Sequence, residues 1–196
     1  VEGGVFGGTD PFLISSAYYY YSTRIVAKTA EILGYEEDAG KYSTLANEIR
    51  DAFIREYFSP TGRLCVDTMT AYVVVLYMGL TPEHAVDKVR AGLLNKLARN
   101  RYHLETGFVG PPYLMRVLSE NGMNNYAYHL LLEEGFPGWL YEVLMGATTI
   151  WERWNSVLPD GRISGTEMNS LNHYSYGSVV EWMFRNMIGI NPDEKY

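Results

Sequence analysis

The sequence predicts an all-α fold built of antiparallel helix hairpins, and three observations predict it. Apolar residues recur at spacings of three, four and seven through most of the chain, as they do along one face of a helix. Cap-and-proline starts and glycine stops punctuate those runs at short intervals, so each helix turns back on the one before it. No period-two alternation persists long enough to make a substantial sheet.

The first helix starts at Thr9-Asp10-Pro11, where a Thr or Asp side chain caps free backbone N–H groups and proline tolerates an early helical position. Ile14, Tyr18, Tyr21, Ile25 and Ile32 form its predicted buried stripe, and Gly34 ends it. The run Tyr18-Tyr19-Tyr20-Tyr21 covers all sides of a turn and reads as packing. Ala39, Tyr42, Leu45, Ala46, Ile49, Phe53 and Tyr57 carry the second helix, antiparallel to the first. Ser59-Pro60-Thr61-Gly62 is turn chemistry, after which Asp67 is the expected cap of an apolar helix running to about Met78 and closed by Gly79. Thr81-Pro82-Glu83 repeats the cap-plus-proline start, with Ala85, Val86, Val89, Leu93, Leu94 and Leu97 on the inner face, giving a second pair. Gly107 and Gly110-Pro111-Pro112 precede two shorter helices, Tyr113 to Leu118 and Asn124 to Leu132, parted by Asn121-Gly122. Gly135, Pro137 and Gly138 interrupt again. From Trp139 onward apolar residues mix with Gly, Thr, Asn, Trp and His in loop-like segments of the kind that carry function. A last helix spans about Tyr176 to Met187 and ends at Gly189. Hairpins in this number close either an open solenoid or a double ring of helices, and the irregular repeat spacing favours the ring.

Composition narrows the function classes. The 196 residues are 47% hydrophobic and 14% aromatic, enough apolar material for a core. Sixteen Lys and Arg against 23 Asp and Glu give a net charge of −7, which repels a polyanion at long range, so no nucleic-acid partner is expected. No run reaches the roughly 18 uninterrupted apolar residues of a membrane span, and even the stretch around residues 71–80 carries Tyr72 and Tyr77. A soluble domain is expected, its compartment open between cytoplasm, periplasm and secretion. The single cysteine, Cys65, closes no intrachain disulfide and builds no thiolate zinc site. His84, His103, His129 and His173 lack metal-ligand spacing, so neither a metal nor a cofactor is expected. Gly3-Gly4 and Gly7-Gly8 lack the strand and spacing of a phosphate cradle and read as a loop, and the start at Val1 reads as an interior cut.

Two segments concentrate chemistry. Gly146-Ala147-Thr148-Thr149-Ile150-Trp151-Glu152-Arg153-Trp154-Asn155 sets a carboxylate between two tryptophans. Burial there disfavours the charged form of Glu152, while Arg153 or the hydroxyls of Thr148 and Thr149 favour it, and that balance separates a general base from a general acid. A plain ion pair between Glu152 and Arg153 accounts for the same residues. Glu167-Met168-Asn169-Ser170-Leu171-Asn172-His173-Tyr174-Ser175-Tyr176-Gly177 crowds amide, hydroxyl and imidazole groups ahead of the last helix. His173 there either binds a ligand or braces that helix.

With those residues in view, the chain resembles the catalytic domain of the α-L-rhamnosidases, the inverting glycoside hydrolases of family 78. The resemblance runs through Ala17-Tyr18-Tyr19-Tyr20-Tyr21-Ser22, His103-Leu104-Glu105-Thr106-Gly107-Phe108-Val109-Gly110, Gly146 to Trp154, and Asn172-His173-Tyr174-Ser175-Tyr176-Gly177-Ser178-Val179, in order over nearly the whole chain. It implies the (α/α)6 barrel, a double ring of six outer and six inner helices. It also implies that Glu152 is the general base that activates water, and that His173 binds sugar hydroxyls. Trp151, Trp154 and Asn172 would line the substrate site, and the partner would be a rhamnosylated glycoside or oligosaccharide.

Two departures shape the expectation. Inversion needs a second carboxyl, about 6.5–9.5 Å from the first, to protonate the leaving oxygen. The family's Asp-x-x-x-Arg-Asp-Glu-Arg type motif that supplies it does not occur here, nor does the family's Gly-Asp-Trp segment, and Glu105 is not promoted to the missing acid. Residues 1–196 are therefore expected to be a single partial domain, an incomplete barrel without its upstream helices and the β-sandwich that follows in the family. Alone it would be inactive and prone to self-association through exposed helix faces. Two other readings compete. One is a different (α/α)6 glycosidase, glucoamylase-like or acting on unsaturated glucuronyl groups; the acidic sugar of the latter would need several cations where only Arg153 stands near the motif. A non-catalytic helical scaffold leaves the clustering of Trp151, Glu152, Trp154, Asn172 and His173 unexplained.

Overall fold

The computed structural model describes residues 8–193, so the glycine-rich run up to Gly7, expected to be a loop, lies outside them. The described chain is helical; its extended pairing is confined to two isolated antiparallel bridges, Phe58 with Leu64 and Val157 with Ile163. It divides into two compact units, Val1–Leu94 and Asn95–Tyr196.

In the first unit, helix α1 (Pro11–Ile32) packs antiparallel on α2 (Glu36–Tyr57). Asp10 caps α1 as expected, its Oδ1 accepting the Phe12 and Leu13 N–H groups at 2.7 and 3.0 Å. Gly34 closes it at φ +78°, a left-handed turn open to glycine without a side-chain clash, in which Tyr35 N–H reaches back to the Ala30 carbonyl at 2.8 Å. The face that α1 buries differs from the expected stripe. Leu13, Ala17, Tyr20, Thr23, Ala27 and Ala30 are inside, Ile14 and Tyr21 are half-buried, and Tyr18, Ile25 and Ile32 are exposed. Alanines decide the face because they bring the two backbones close, and bulky residues at the neighbouring positions are turned outward. The tyrosine run divides accordingly, with Tyr20 buried and Tyr18 and Tyr19 exposed. On α2 the expected face holds, with Ala46 and Phe53 buried and Ala39, Tyr42, Leu45, Ile49 and Tyr57 half-buried.

Helix α3 (Met69–Tyr77) is capped by Thr68, whose Oγ1 accepts the Ala71 N–H at 3.2 Å, and not by Asp67. Asp67 accepts instead from the Tyr72 hydroxyl at 2.9 Å. Arg24 of α1 donates to the Met78 carbonyl at the end of α3, and Thr9 and Thr68 hydroxyls meet at 2.8 Å. Thr81 does not cap the next helix, since its hydroxyl is buried without a partner. A 3-10 turn, Glu83–Ala85, leads into α4 (Val86–Arg99), which buries Val89, Leu93 and Leu97 as expected. The pair meets where the Tyr72 ring lies over Gly92, leaving no room there for a Cβ.

In the second unit, α5 (Pro111–Glu120) and α6 (Asn124–Leu132) form a hairpin, and α6 packs on the short α7 (Trp139–Leu144). The last helical stretch changes pitch twice: a 3-10 turn Ser175–Ser178, α8 (Val179–Trp182) and a π turn Met183–Ile188, closed by Gly189. It docks on α5 through Trp182, which is buried, donates its Nε1–H to the Ser119 hydroxyl at 2.8 Å and meets the Tyr128 ring edge-on. Arg116 bridges Glu120 and Glu181 across the same contact. Replacing Trp182 with alanine opens a large cavity at this junction and is expected to cost about 3–5 kcal/mol, read as a shifted urea midpoint.

Candidate active site

The irregular chain between α7 and the last helical stretch is organised by hydrogen bonds between two short segments, residues 149–152 and 170–173. Thr149 Oγ1 donates to the Leu171 carbonyl, His173 N–H donates to the Ile150 carbonyl at 2.8 Å, and Glu152 N–H donates to the Ser170 carbonyl at 2.9 Å. Between them the chain folds out as a hairpin around Pro159-Asp160-Gly161, where Leu158 N–H reaches the Arg162 carbonyl and Ser164 N–H the Ser156 carbonyl. Proline, aspartate and glycine in that order are a turn signal carried by the sequence itself.

The pairing sets Glu152 and His173 on adjoining segments although 21 residues separate them. Glu152 is 9% exposed, and its Oε2 accepts the Ser170 N–H at 2.7 Å, so each of the two residues donates its amide to the other. Arg153 turns away and donates to the Glu167 carbonyl, so the alternative of a Glu152–Arg153 ion pair is not formed. His173 is half-buried, its Nδ1 accepts the Ser175 N–H at 3.2 Å, and that bond assigns the neutral ring's proton to Nε2. The ring is nearly parallel to those of Phe108 and Tyr174, each centroid 5.1 Å away. Asn172 is exposed and its backbone is held by the Ser170 hydroxyl. Trp151 and Trp154 are both buried. Trp154 stacks on Tyr176 at 3.8 Å and meets Trp139 edge-on at 5.3 Å, while Trp139 Nε1–H donates to the Tyr176 carbonyl at 2.9 Å. The segments 103–110, 146–154 and 172–179 thus meet through Phe108, Glu152, Trp154, His173 and Tyr176.

The sequence reading overlooked Glu142. It lies three residues after Trp139 on the same face of α7 and is only 2% exposed. Its Oε2 accepts the Trp151 N–H at 3.3 Å, and its Oε1 is buried with no partner. Burial pushes its carboxyl up to about 7, against the opposing effect of the Trp151 N–H. Tyr176 is pushed up to about 12, first by burial and then by the charges of Glu142 and Glu152, so its hydroxyl stays protonated. Tyr176 thus senses both carboxyls. Helical spacing from Trp139 was the signal that would have placed a carboxyl in this core.

The raised value has a sign. Folding disfavours ionised Glu142, so its cost is absent below about 4.5, grows as pH rises to about 7 and is constant above, reaching about 3 kcal/mol. Glu142→Gln is therefore expected to raise the melting temperature at pH 8 by about 6 °C or more and to leave it unchanged at pH 4, in paired calorimetric scans.

Comparison with known proteins supplies the family. The model for the bacterial alpha-L-rhamnosidase 6 hairpin glycosidase domain matches residues 2–187. An alpha-L-rhamnosidase of Streptomyces avermitilis is 44% identical over 94% of this chain, and one of Formosa agariphila is 39% identical over 95%. The crystal structure of the Streptomyces avermitilis enzyme complexed with L-rhamnose superposes with a TM-score of 0.88 at 42% identity, covering 93% of this chain. That of the native enzyme from Aspergillus terreus gives 0.92 at 33% identity over 96%. The chain spans about a fifth of the length of these relatives, 18% and 20% for the two sequences and 18% and 22% for the two structures. By its helices, its convergent segments and its match over residues 2–187, this chain belongs to the bacterial α-L-rhamnosidase six-hairpin glycosidase domain family.

Proposed function

We propose that the protein carrying this chain is a glycoside hydrolase that releases terminal α-L-rhamnose from glycosides or oligosaccharides with inversion, and that Glu152 is its general base. The observation that carries the reading is the seating of Glu152: a buried carboxylate, fixed through one oxygen by the Ser170 N–H, on the segment paired with that of His173. Family membership supplies the reaction class. One engaged oxygen leaves the other for a water molecule. Glu152 takes a proton from that water as its oxygen bonds to the anomeric carbon, on the face opposite the departing glycosidic oxygen. The bond to that oxygen breaks, and a second carboxyl protonates it.

His173, with its proton on Nε2, donates to a sugar hydroxyl in this reading, and its ring is held in plane by Phe108 and Tyr174. Asn172 is exposed beside it and supplies a further amide contact. Trp151 and Trp154 act as the apolar wall behind the carboxylate. Residues 1–196 make the base side of a partial barrel domain in this reading, and the general acid is supplied by another part of the protein.

In the full-length protein, Glu152→Gln is expected to slow hydrolysis of an aryl α-L-rhamnoside by about 10²–10⁴ while circular dichroism is unchanged. NMR of the first product should show the β-anomer of L-rhamnose. Wild-type rates in a folded Glu152→Gln variant, or α-anomer as first product, contradict the assignment. Residues 1–196 alone are expected to show negligible turnover and, through exposed side chains such as Ile25, Ile32 and Leu33, to self-associate in light scattering.

A further inference from the structure

A carboxyl as deeply buried as that of Glu142 is costly to keep, because an apolar residue of similar shape would fill the space without the desolvation penalty. What the acid does is specific: its Oε2 takes the Trp151 N–H, in a stretch without regular secondary structure where no helical or strand partner serves that amide. The Ala147 N–H is bound in turn by the Glu142 carbonyl at 3.0 Å, so one residue of α7 holds both ends of the turn that leads to Ile150 and Trp151. Trp151 immediately precedes Glu152. The carboxylate of Glu152 is thus fixed from two directions, by Ser170 through its own amide and side chain and by Glu142 through the preceding peptide.

We propose that Glu142 is a positioning residue for Glu152, holding the Trp151 amide so that the base projects from a fixed backbone. The proposal rests on the reading of Glu152 as the general base. Glu142 touches no substrate in this arrangement, being only 2% exposed, and it acts through the peptide it holds. The titratable group that senses it is Tyr176, from the last helical stretch, which the charge of Glu152 also raises. A base displaced by a fraction of an ångström still folds and still binds sugar, but activates water poorly. Loss of Glu142 therefore falls on kcat and spares KM.

The test uses the full-length protein and an aryl α-L-rhamnoside, with kcat and KM measured for Glu142→Leu, Glu142→Gln, Glu142→Asp and Glu152→Gln, each checked by circular dichroism. Glu142→Leu, apolar and of similar volume, is expected to lower kcat by about tenfold or more with KM within about twofold. Glu142→Gln keeps an acceptor oxygen and is expected to restore most of that loss. Should the leucine variant not fold, Glu142→Asp serves in its place, since its shorter side chain withdraws the oxygen from the Trp151 amide, and the same fall in kcat is expected. A folded leucine or aspartate variant with wild-type kcat overturns the proposal, as does glutamine falling as far as leucine, or a rise in KM in place of the fall in kcat. Glu152→Gln separates the two claims. If it is inactive while Glu142→Leu is not, only the role of Glu142 fails; if folded Glu152→Gln is fully active, the reading of the base fails and this proposal with it.

Discussion

The candidate site depends on the reciprocal bond between Glu152 and Ser170. Glu152 gives its amide to the Ser170 carbonyl and receives the Ser170 amide on its carboxylate, at 2.9 and 2.7 Å. Nothing in this stretch is a helix or strand, so the usual ladders that fix a backbone are missing, and fixing each residue costs about 1–2 kcal/mol of entropy. One half of the reciprocal bond is made by the side chain of the candidate base itself. The carboxylate therefore helps to build the loop that presents it. His173 follows from the same pairing, since its amide is bound one step along at Ile150.

Aromatic rings supply the floor beneath this pairing. Trp139 comes from α7, Trp154 from the loop and Tyr176 from the 3-10 turn, and they contact one another through one stacked and one edge-on pair. Such contacts add about 0.5–1.5 kcal/mol each beyond simple burial and fix relative orientation. Phe108 extends the cluster to His173 and Tyr176 from the segment before α5. Loops with polar backbones are thereby anchored on helices through rings rather than through regular hydrogen bonding, which leaves their amides free to hold carboxylates.

What the sequence disclosed follows the range of the forces involved. Asp10, Gly34, Gly79 and Gly189 were legible because caps and left-handed turns are chemistry within four residues. The inner face of α2 was legible because its apolar spacing has one solution. The face of α1 was misread because apolar residues occur all round it and the choice is made by α2, which prefers the alanine side. Thr68 in place of Asp67 is a one-residue competition settled by the bond from Tyr72 to Asp67, a contact five residues away. The 149–152 and 170–173 pairing has no local signature at all. Glu152 and His173 were singled out by composition and resemblance, while their juxtaposition belongs to long-range bonds that no spacing encodes.

Glu142 and Glu152 show how two carboxyls ten residues apart acquire different characters. Glu142 is sealed, with one oxygen on an amide and the other on nothing, so desolvation dominates and its proton is retained up to about neutral pH. Glu152 keeps part of its surface and meets an amide through a single oxygen. Had Glu142 been exposed, it would carry a full negative charge throughout the neutral range, adding repulsion beside Tyr176. Burial without a cation halves that charge near pH 7, because a group with its midpoint there is about half protonated. The desolvation of Glu142 thus costs stability and in the same stroke lets a second carboxyl stand near Tyr176, which an ion pair would have achieved only by bringing a positive charge into the candidate site.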